Sequence, residues 1–420
     1  MISRRLLAAA SAAVLGSAAS ARFLPALAQA APELIAPPPA PVPGAGKPMP
    51  LAGKDAMARA QQVLAAELIT ALAGKAASQN IILSPMSVTA ALAIIAMGGD
   101  ASLLHSMRQT LQMPGKGGDM AAFTNALTAL AAYGKDGAKS PLAQASLLVL
   151  DPALQPNAAT LGKLHEFDVE VGRDNLADPV AIARINDWVK DKTHDLIPSI
   201  LDQPPGAGSL VALNALYFKD KWLSPFDAAR TVPLPFTGTD GKAAPVPMMA
   251  QDGSFAFRTE GNLIGIDLGF ADPRFGLVLV TTKAKPESAA MLTKAAHGWL
   301  GGAKFTESAG SVTMPRLRLE GSNDLLAVLR QLGLKDGPNS LQSFGTKPPQ
   351  ISAITQKTVL KLDEEGAEAA AATAIIATRS VSGVQTHLVL DKPYLFALRD
   401  KSNGFMVVAG YVARPEEGQA

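Results

Sequence analysis

The chain has 420 residues, of which 48% are hydrophobic and 18% charged, so it can bury a large core and is neither a disordered tail nor a coiled coil. Its 38 basic and 36 acidic residues leave a net charge of +2, which does not indicate a protein that binds nucleic acid or a membrane surface. The absence of cysteine excludes disulfides, a thiol nucleophile and cysteine-ligated metals, and it suits export to an oxidising compartment.

The N-terminal residues have the pattern of an export signal. Arg4 and Arg5 precede the uncharged apolar run Leu6–Ala19, and a small-residue cleavage motif ends at Ala30. We therefore expect residues 1–30 to be a signal peptide and the protein to be periplasmic or extracellular, with a retained membrane anchor as the alternative. The paired arginines fit both a Sec and a twin-arginine signal, so the export route stays open.

Residues 31–53 are rich in proline and alanine, and we expect an extended, polyproline-like linker that is not part of a core. Such a linker is either a spacer between the folded domain and a surface or a leader without structure. The folded domain is expected to span residues 54–415.

The elements of the folded part change in type along the chain. Helical spacing predicts helices over Ala56–Leu72, Met86–Met97, Met120–Ala132 and part of Ile182–Ile200, with strands at Asn80–Pro85 and Ala143–Leu150. Later segments predict the strands Leu210–Phe218, Pro233–Phe236, Phe255–Arg258, Leu263–Leu268, Leu277–Thr282, Ser311–Leu319, Thr358–Leu362, His387–Leu390, Leu395–Arg399 and Met406–Val412, with one helix at Asn323–Leu332. This order, without βαβ alternation, predicts an α+β fold with large sheets and one shared core.

Motifs for enzyme chemistry are absent from the sequence. The five histidines are scattered without metal-ligand spacing, and there is no nucleophile elbow, phosphate-binding loop or dinucleotide fingerprint. We therefore expect no enzyme activity, no cofactor and no metal. A Ser–His–Asp triad assembled from distant residues is the alternative, because such triads are defined by geometry and not by spacing.

One segment does not fit an ordinary element. Directly after the strand ending at Leu362 come Asp363, two glutamates, Gly366 and an alanine-rich run that contains Glu368, followed by the polar stretch Thr378–Gly383. A surface helix is the simple interpretation, since alanine and glutamate favour helices. Because Gly366 interrupts it and its end is polar, we expect an exposed loop whose small side chains could enter a sheet without overpacking the core.

The segment also carries a family resemblance. Glu364–Ala374 resembles the hinge of the reactive-centre loop of serpins, the serine protease inhibitor superfamily. Further similar motifs occur in family order: Asn80–Ser87, Ile185–Val189, Leu213–Trp222, Val246–Met249, Met314–Arg316 and Lys392–Phe396. The resemblance runs from about Ala56 to Pro415, and with the N-terminal signal it indicates an exported, bacterial-type serpin with the serpin fold.

The resemblance implies a monomeric inhibitor that traps a serine protease of unknown identity. The protease would cleave the loop, and the loop would then insert into the main sheet as a new strand. The implied hinge residues are Glu364, Glu365, Gly366, Ala367, Glu368, Ala369, Ala370, Ala371 and Ala372. On insertion, Ala367, Ala369, Ala371, Thr373 and Ile375 would face the core, and none of them is charged. A non-inhibitory serpin that acts as a binding or scaffold module is the alternative.

Two adjacent bonds are candidates for the reactive bond. Family spacing from Glu364 indicates Ser380–Val381, which would suit an elastase-like or subtilisin-like protease. The preceding bond, Arg379–Ser380, would suit a trypsin-like pocket with an acid at its base.

Other family sites can be carried over residue by residue. Ser84, Ser87 and Asn214 match the shutter, the polar cluster beneath the strands that part, and Gln356 stands where the family usually has a histidine. Trp222 matches the breach, where the loop first enters, and Arg316 matches the partner of Glu364 at the base of the loop. Glutamine can replace the hydrogen bonds of histidine, but it does not titrate.

Two regions depart from relatives or lack their features. Between Pro114 and Ser140 the basic residues are Lys116, Lys135 and Lys139, so a glycosaminoglycan cofactor is not expected. The stretch Gly333–Pro349 fits the family pattern poorly, and its local structure is left open.

Overall fold

A computed structural model describes residues 32–36, 54–74, 79–113, 140–193, 195, 197–337, 339–345, 349, 351–367 and 385–415, together with residues 120, 121, 123, 124, 127, 128, 131 and 133. Statements about elements and contacts below refer to these residues. Among the helices described, none is long and apolar enough to cross a membrane.

Most of the described helices lie in the first half of the chain, as the sequence predicts. They are α1 (Lys54–Ala73), α2 (Pro85–Ala96), α3 (Ala101–Thr110), α4 (Ala158–Glu166), α5 (Pro179–Lys192), α6 (Ala289–Ala295) and α7 (Leu326–Gln331). The described residues between 120 and 133 are also helical. Helix α2 is buried along its whole length, and it begins at Pro85 because the Ser84 hydroxyl caps its first turn.

The strands are β1 (Glu33–Leu34), β2 (Ile81–Leu83), β3 (Leu142–Leu150), β4 (Val169–Arg173), β5 (Leu210–Phe218), β6 (Asp220–Lys221), β7 (Val232–Thr237), β8 (Ala243–Glu260), β9 (Leu263–Gly269), β10 (Phe275–Thr282), β11 (Thr306–Pro315), β12 (Leu317–Asp324), β13 (Ile351–Leu362), β14 (Gly366–Ala367), β15 (Thr386–Val389), β16 (Tyr394–Asp400) and β17 (Met406–Val412). They form two large sheets, so the predicted α+β class with large sheets is confirmed.

The main sheet has eight described strands in the order β1-β4-β3-β5-β13-β14-β6, with β12 paired to β13. The second sheet has nine, in the order β15-β11-β8-β9-β10-β16-β17-β2, with β7 paired to β8. One large apolar core joins both sheets to α1 and α2. A smaller core lies on the other face of the main sheet, where Ile185, Trp188 and Val189 of α5 pack against Val211 and Leu213 of β5.

The predicted strand Ser311–Leu319 and helix Asn323–Leu332 are wrong in their boundaries. Two strands, β11 and β12, meet on either side of Arg316, and β12 continues to Asp324 before a helix of only six residues. Pairing with β13 over its whole length extends β12 into the region where the apolar spacing favours a helix. Tertiary pairing overrides the local pattern here.

The prediction that the whole of residues 31–53 stays outside the fold is also wrong. Glu33 and Leu34 form β1, which pairs with β4, and Pro32 is buried. The backbone N–H of Ile35 adds a further hydrogen bond to Val171 O (2.7 Å). A proline immediately before a strand does not prevent pairing, because it needs to donate no bond in the ladder.

The stretch Gly333–Pro349, left open by the sequence, contributes to the core. Leu341 and Phe344 are buried around a short helical turn, Gln342–Phe344. The backbone of Ser340 accepts a hydrogen bond from Asp100 N (2.8 Å) at the start of α3. This segment therefore covers the ends of the N-terminal helices.

Candidate functional site

The chain reverses direction between β13 and β14 in a tight turn. The Asp363 carboxylate accepts hydrogen bonds from Glu365 N (2.9 Å) and Gly366 N (3.2 Å), and Asp363 N donates to Gly366 O (3.0 Å). Gly366 has a φ of +154°, and a Cβ there would lie 2.2 Å from Asp220 O. Only glycine fits this position. Asp363 was not among the predicted site residues, although an aspartate shortly before a glycine is a recognisable turn signal.

Two of the hinge residues, Gly366 and Ala367, are already part of the main sheet. Ala367 pairs with Leu362 of β13 on one side and with Asp220 of β6 on the other, and Gly366 pairs with Lys221. Ala367 is buried against the main core. The hinge therefore already contains a two-residue strand, which lies between β13 and β6.

Between β14 and the far end of the sheet, the two central strands β5 and β13 are not paired directly over part of their length. The parallel pairing of β5 with β13 runs from Leu210 and Ile351 to Leu213 and Thr355, where it ends. The remainder of β13 is paired to β12 on its other side. Hydrogen bonds thus join β5 directly to β13 at one end of these strands only. Strand β14 lies at the opposite end of the gap between them.

Three hydrogen bonds from Trp222 and Phe226 hold the turn. Trp222 N donates to Glu365 O, Trp222 Nε1 donates to Asp363 O, and Phe226 N donates to Glu364 O, each at 2.8 Å. Trp222 is buried, so these bonds are shielded from water. The structure thus brings Trp222 to the base of the loop, together with Phe226, which was not among the predicted site residues.

The carboxylate of Glu364 is held by two residues. Arg316 Nε donates to both of its oxygens (2.8 and 3.0 Å), and Thr231 Oγ1 donates to Oε1. The Glu364 side chain is 10% exposed and that of Arg316 is 48% exposed. Burial of the Glu364 carboxyl opposes its ionisation, but the bonds from Arg316 and Thr231 outweigh this and lower its pKa. Thr231 was missed, and no motif in the sequence points to it.

Beneath the opening, three of the predicted shutter residues meet. Ser84 Oγ accepts from Ser87 N (3.0 Å) at the start of α2. The surrounding donors and acceptors assign the orientation of the Gln356 amide: its nitrogen donates to Ser84 O (3.0 Å) and its oxygen accepts from Ser84 N (2.9 Å). All three residues are buried. Gln356 thereby joins β13 to the first turn of α2.

The fourth predicted shutter residue, Asn214, bonds to the neighbouring strand β3. Asn214 Nδ2 of β5 donates to Ser146 Oγ (3.0 Å), its partner in the neighbouring strand β3. Both residues are buried. Ser146 was missed by the sequence analysis, although a serine within the apolar run of β3 was a visible signal.

Several predicted site residues lie outside the described part of the chain. These are the hinge residues Glu368, Ala369, Ala370, Ala371 and Ala372 and the candidate reactive residues Arg379, Ser380 and Val381.

Two kinds of enzyme site can be checked among the described residues, a metal site and a Ser–His–Asp triad. No group of three or more His, Asp or Glu side chains in the described part could hold a metal ion. His387 Nδ1 lies 2.8 Å from Ser311 Oγ, but Asp252, opposite Ser311 in the sheet, pairs with Arg230 (2.8 Å). In a triad the imidazole lies between the serine and the carboxylate. Here the serine is in the middle, so this row of residues does not have the order of a triad.

Comparisons with known proteins agree with this geometry. A family model described as "Serpin (serine protease inhibitor)" matches residues 59–415. Mouse neuroserpin is 27% identical over 367 residues, which cover 82% of this chain and 88% of the relative. The crystal structure of Serpin48 from the insect Tenebrio molitor superposes with a TM-score of 0.75 at 22% identity, covering 88% of this chain and all of that one. Human thyroxine-binding globulin, solved with its ligand, gives a TM-score of 0.77 at 21% identity, covering 87% of this chain and all of that one. The resemblance seen in the sequence is confirmed: the chain belongs to the serpin family and has the serpin fold.

Proposed function

We propose that this serpin inhibits serine proteases by covalent trapping. The target's serine Oγ attacks the carbonyl carbon of Ser380 and forms an ester. The peptide bond to Val381 breaks, and its nitrogen leaves as an amine that takes the proton of the serine hydroxyl through the protease's own general base. Arg379–Ser380 is the alternative bond. The loop on the N-terminal side of the cut then enters the main sheet between β5 and β13 and carries the bound protease with it.

The observation that carries this proposal is the half-open main sheet. Pairing of β5 with β13 ends at Leu213 and Thr355, and Gly366–Ala367 is already bonded at the far end of the opening. The inserting loop can therefore extend the pairing that Gly366–Ala367 already makes, so a first pairing with the sheet does not have to form. Backbone groups along the facing edges of β5 and β13 would gain partners as the strand extends.

The register of β14 supports insertion with small residues facing the core. Continued in steps of two residues from the pair Ala367–Leu362, it would set Ala369 against Leu360 and Ala371 against Thr358. Leu360, Thr358 and Gln356 are all buried, so the facing residues of the new strand would be buried on the same side. Alanine adds little volume to a packed core, which suits such a strand.

The same register reaches the shutter. Two further steps from Ala369 would set Thr373 between Gln356 of β13 and Asn214 of β5. Its hydroxyl, both a donor and an acceptor, could then bond to these two amides. Insertion of about fifteen residues at roughly 3.3 Å each would move the tethered protease by about 50 Å.

We also propose that residues 1–30 direct export and that the inhibitor acts in the periplasm or outside the cell. Cleavage after Ala30 would leave Pro32–Ile35, which the fold uses, at the start of the secreted chain. N-terminal sequencing of the secreted protein tests this.

The test of inhibition is to mix the secreted protein with trypsin-like, elastase-like and subtilisin-like proteases and to run denaturing gels. We expect a complex that survives SDS with at least one class, and a released C-terminal peptide that begins at Val381 or, for the alternative bond, at Ser380. A protease whose active-site serine is already blocked is the control and should form no complex. Cleavage by every protease of the panel without trapping would instead support a non-inhibitory binding serpin.

A further inference from the structure

The N-terminal segment Pro32–Ile35 occupies the outer edge of the main sheet. Glu33 and Leu34 lie antiparallel to Arg173 and Gly172 of β4, and Ile35 N donates to Val171 O at 2.7 Å. Strand β4 has β3 on its other side, so β1 is the last strand of the sheet at this edge. The segment thus satisfies backbone groups of β4 that would otherwise face solvent.

The edge of β4 is shaped for this segment. Pro32 is buried, and Ile35 packs, partly buried, against the main core. A Cβ on Gly172 would lie 3.2 Å from Pro32 Cβ, closer than side chains normally approach. A glycine inside a strand often marks the close approach of another chain segment. Glu33 also faces Arg173, a cross-strand pair of opposite charge.

An uncovered edge strand is a template for pairing with another chain, and proteins protect such edges. In the second sheet, β7 carries Pro233 and Pro235, which have no N–H to offer a further strand. Strand β4 has the sequence Val-Glu-Val-Gly-Arg and no proline. Its protection has to come from something placed on it, and the segment Pro32–Ile35 is in that place.

We infer that residues 32–35 act as an edge guard: they bind the β4 edge of their own chain and prevent a strand of a second copy from pairing there. This role is independent of the proposed protease inhibition. It assigns a function to a segment whose composition predicts only a linker.

Two proline substitutions in the secreted protein test the inference. Ile35→Pro removes the N–H that donates to Val171 O. Leu34→Pro is the matched control, because Leu34 lies between two bonded pairs, its N–H points away from β4, and its side chain is 49% exposed. We expect amide hydrogen exchange in β4 to become about tenfold faster or more in the Ile35 variant, and to stay unchanged in the control.

The oligomeric state is the second measurement. In sedimentation velocity we expect the Ile35 variant to form dimers or larger species that increase with concentration, while the Leu34 variant stays monomeric. An excess of a synthetic peptide of residues 31–36 should restore the monomer. Unchanged exchange in β4, a monomeric Ile35 variant, or equal association of both variants would overturn the inference. So would a wild-type dimer in which each segment covers the β4 edge of the other copy.

Discussion

Replacing Gln356 by leucine tests how firmly the shutter is held. Leucine has a similar size but cannot bond Ser84, so the buried Ser84 N–H loses its partner, while Ser84 O keeps the hydrogen bond from Val88 N (3.1 Å). Leaving one buried N–H without a partner costs about 1–3 kcal/mol, and we expect the variant to lose about that much unfolding free energy. The assay is urea unfolding of the intact protein, followed by tryptophan fluorescence and by circular dichroism.

Thr358→Val is the matched control in the same strand. Thr358 lies two residues after Gln356 on the same buried face, and among the described residues its hydroxyl has no hydrogen-bond partner. Removing that hydroxyl should change the unfolding free energy by less than about 1 kcal/mol, or should stabilise the protein. Equal losses in the two variants would refute the assignment of the Gln356–Ser84 bonds as the stabilising contact.

The same position provides a pH test. The Gln356 amide does not titrate, whereas a histidine in its place would be buried and could accept a bond from Ser84 N only while neutral. Burial lowers the folded pKa of such a histidine below its unfolded value of about 6.5. In Gln356→His the stability contribution should therefore be present above pH ~6.5 and be lost as the pH falls below it. An identical pH profile for wild type and variant between pH 5 and 8 would contradict this.

Three further predictions concern other parts of the chain. Ala367→Arg would put an unpaired charge on the buried face and should raise the amount of serpin cleaved per trapped protease about tenfold or more. Glu368→Arg, which would lie on the opposite face of the proposed inserted strand, should leave that amount nearly unchanged. Tyr394→Phe should be neutral or stabilising, because its buried hydroxyl has no partner in the described part, whereas Tyr411→Phe breaks a bond to Glu287 O and should cost about 1 kcal/mol in thermal unfolding. Glu364→Gln should cost about 1 kcal/mol of unfolding free energy at pH 7. Because the folded pKa of Glu364 is lowered, the stability that its carboxylate contributes is present above pH ~4.5 and is lost as the pH falls through the folded pKa. The unfolding free energies of wild type and variant should therefore converge in acid.

The sequence predicted features that depend on short spacings. Helical spacing predicted a helix from Met86, one residue after its observed start at Pro85, and the alternation expected of the inserted loop predicted that Ala367 would face the core. These predictions work because a helix cap and a strand face are decided by residues a few positions apart. The family motifs added Trp222, Gln356 and the Arg316–Glu364 pair, whose members the structure places at the base of the loop and beneath it.

Other features depended on partners far along the chain. Thr231 reaches Glu364 across 133 positions, and Ser146 reaches Asn214 across 68. Strand β12 ends where its pairing with β13 ends, not where its own apolar pattern changes. Pro32–Ile35 has the composition of a linker and becomes a strand because β4 offers it an unpaired edge. The sequence by itself therefore determined which segments could be helix, strand or loop, together with the family. The tertiary structure alone decided where the central strands part and which edge is covered, because hydrogen bonds between strands depend on neighbours that local sequence does not specify.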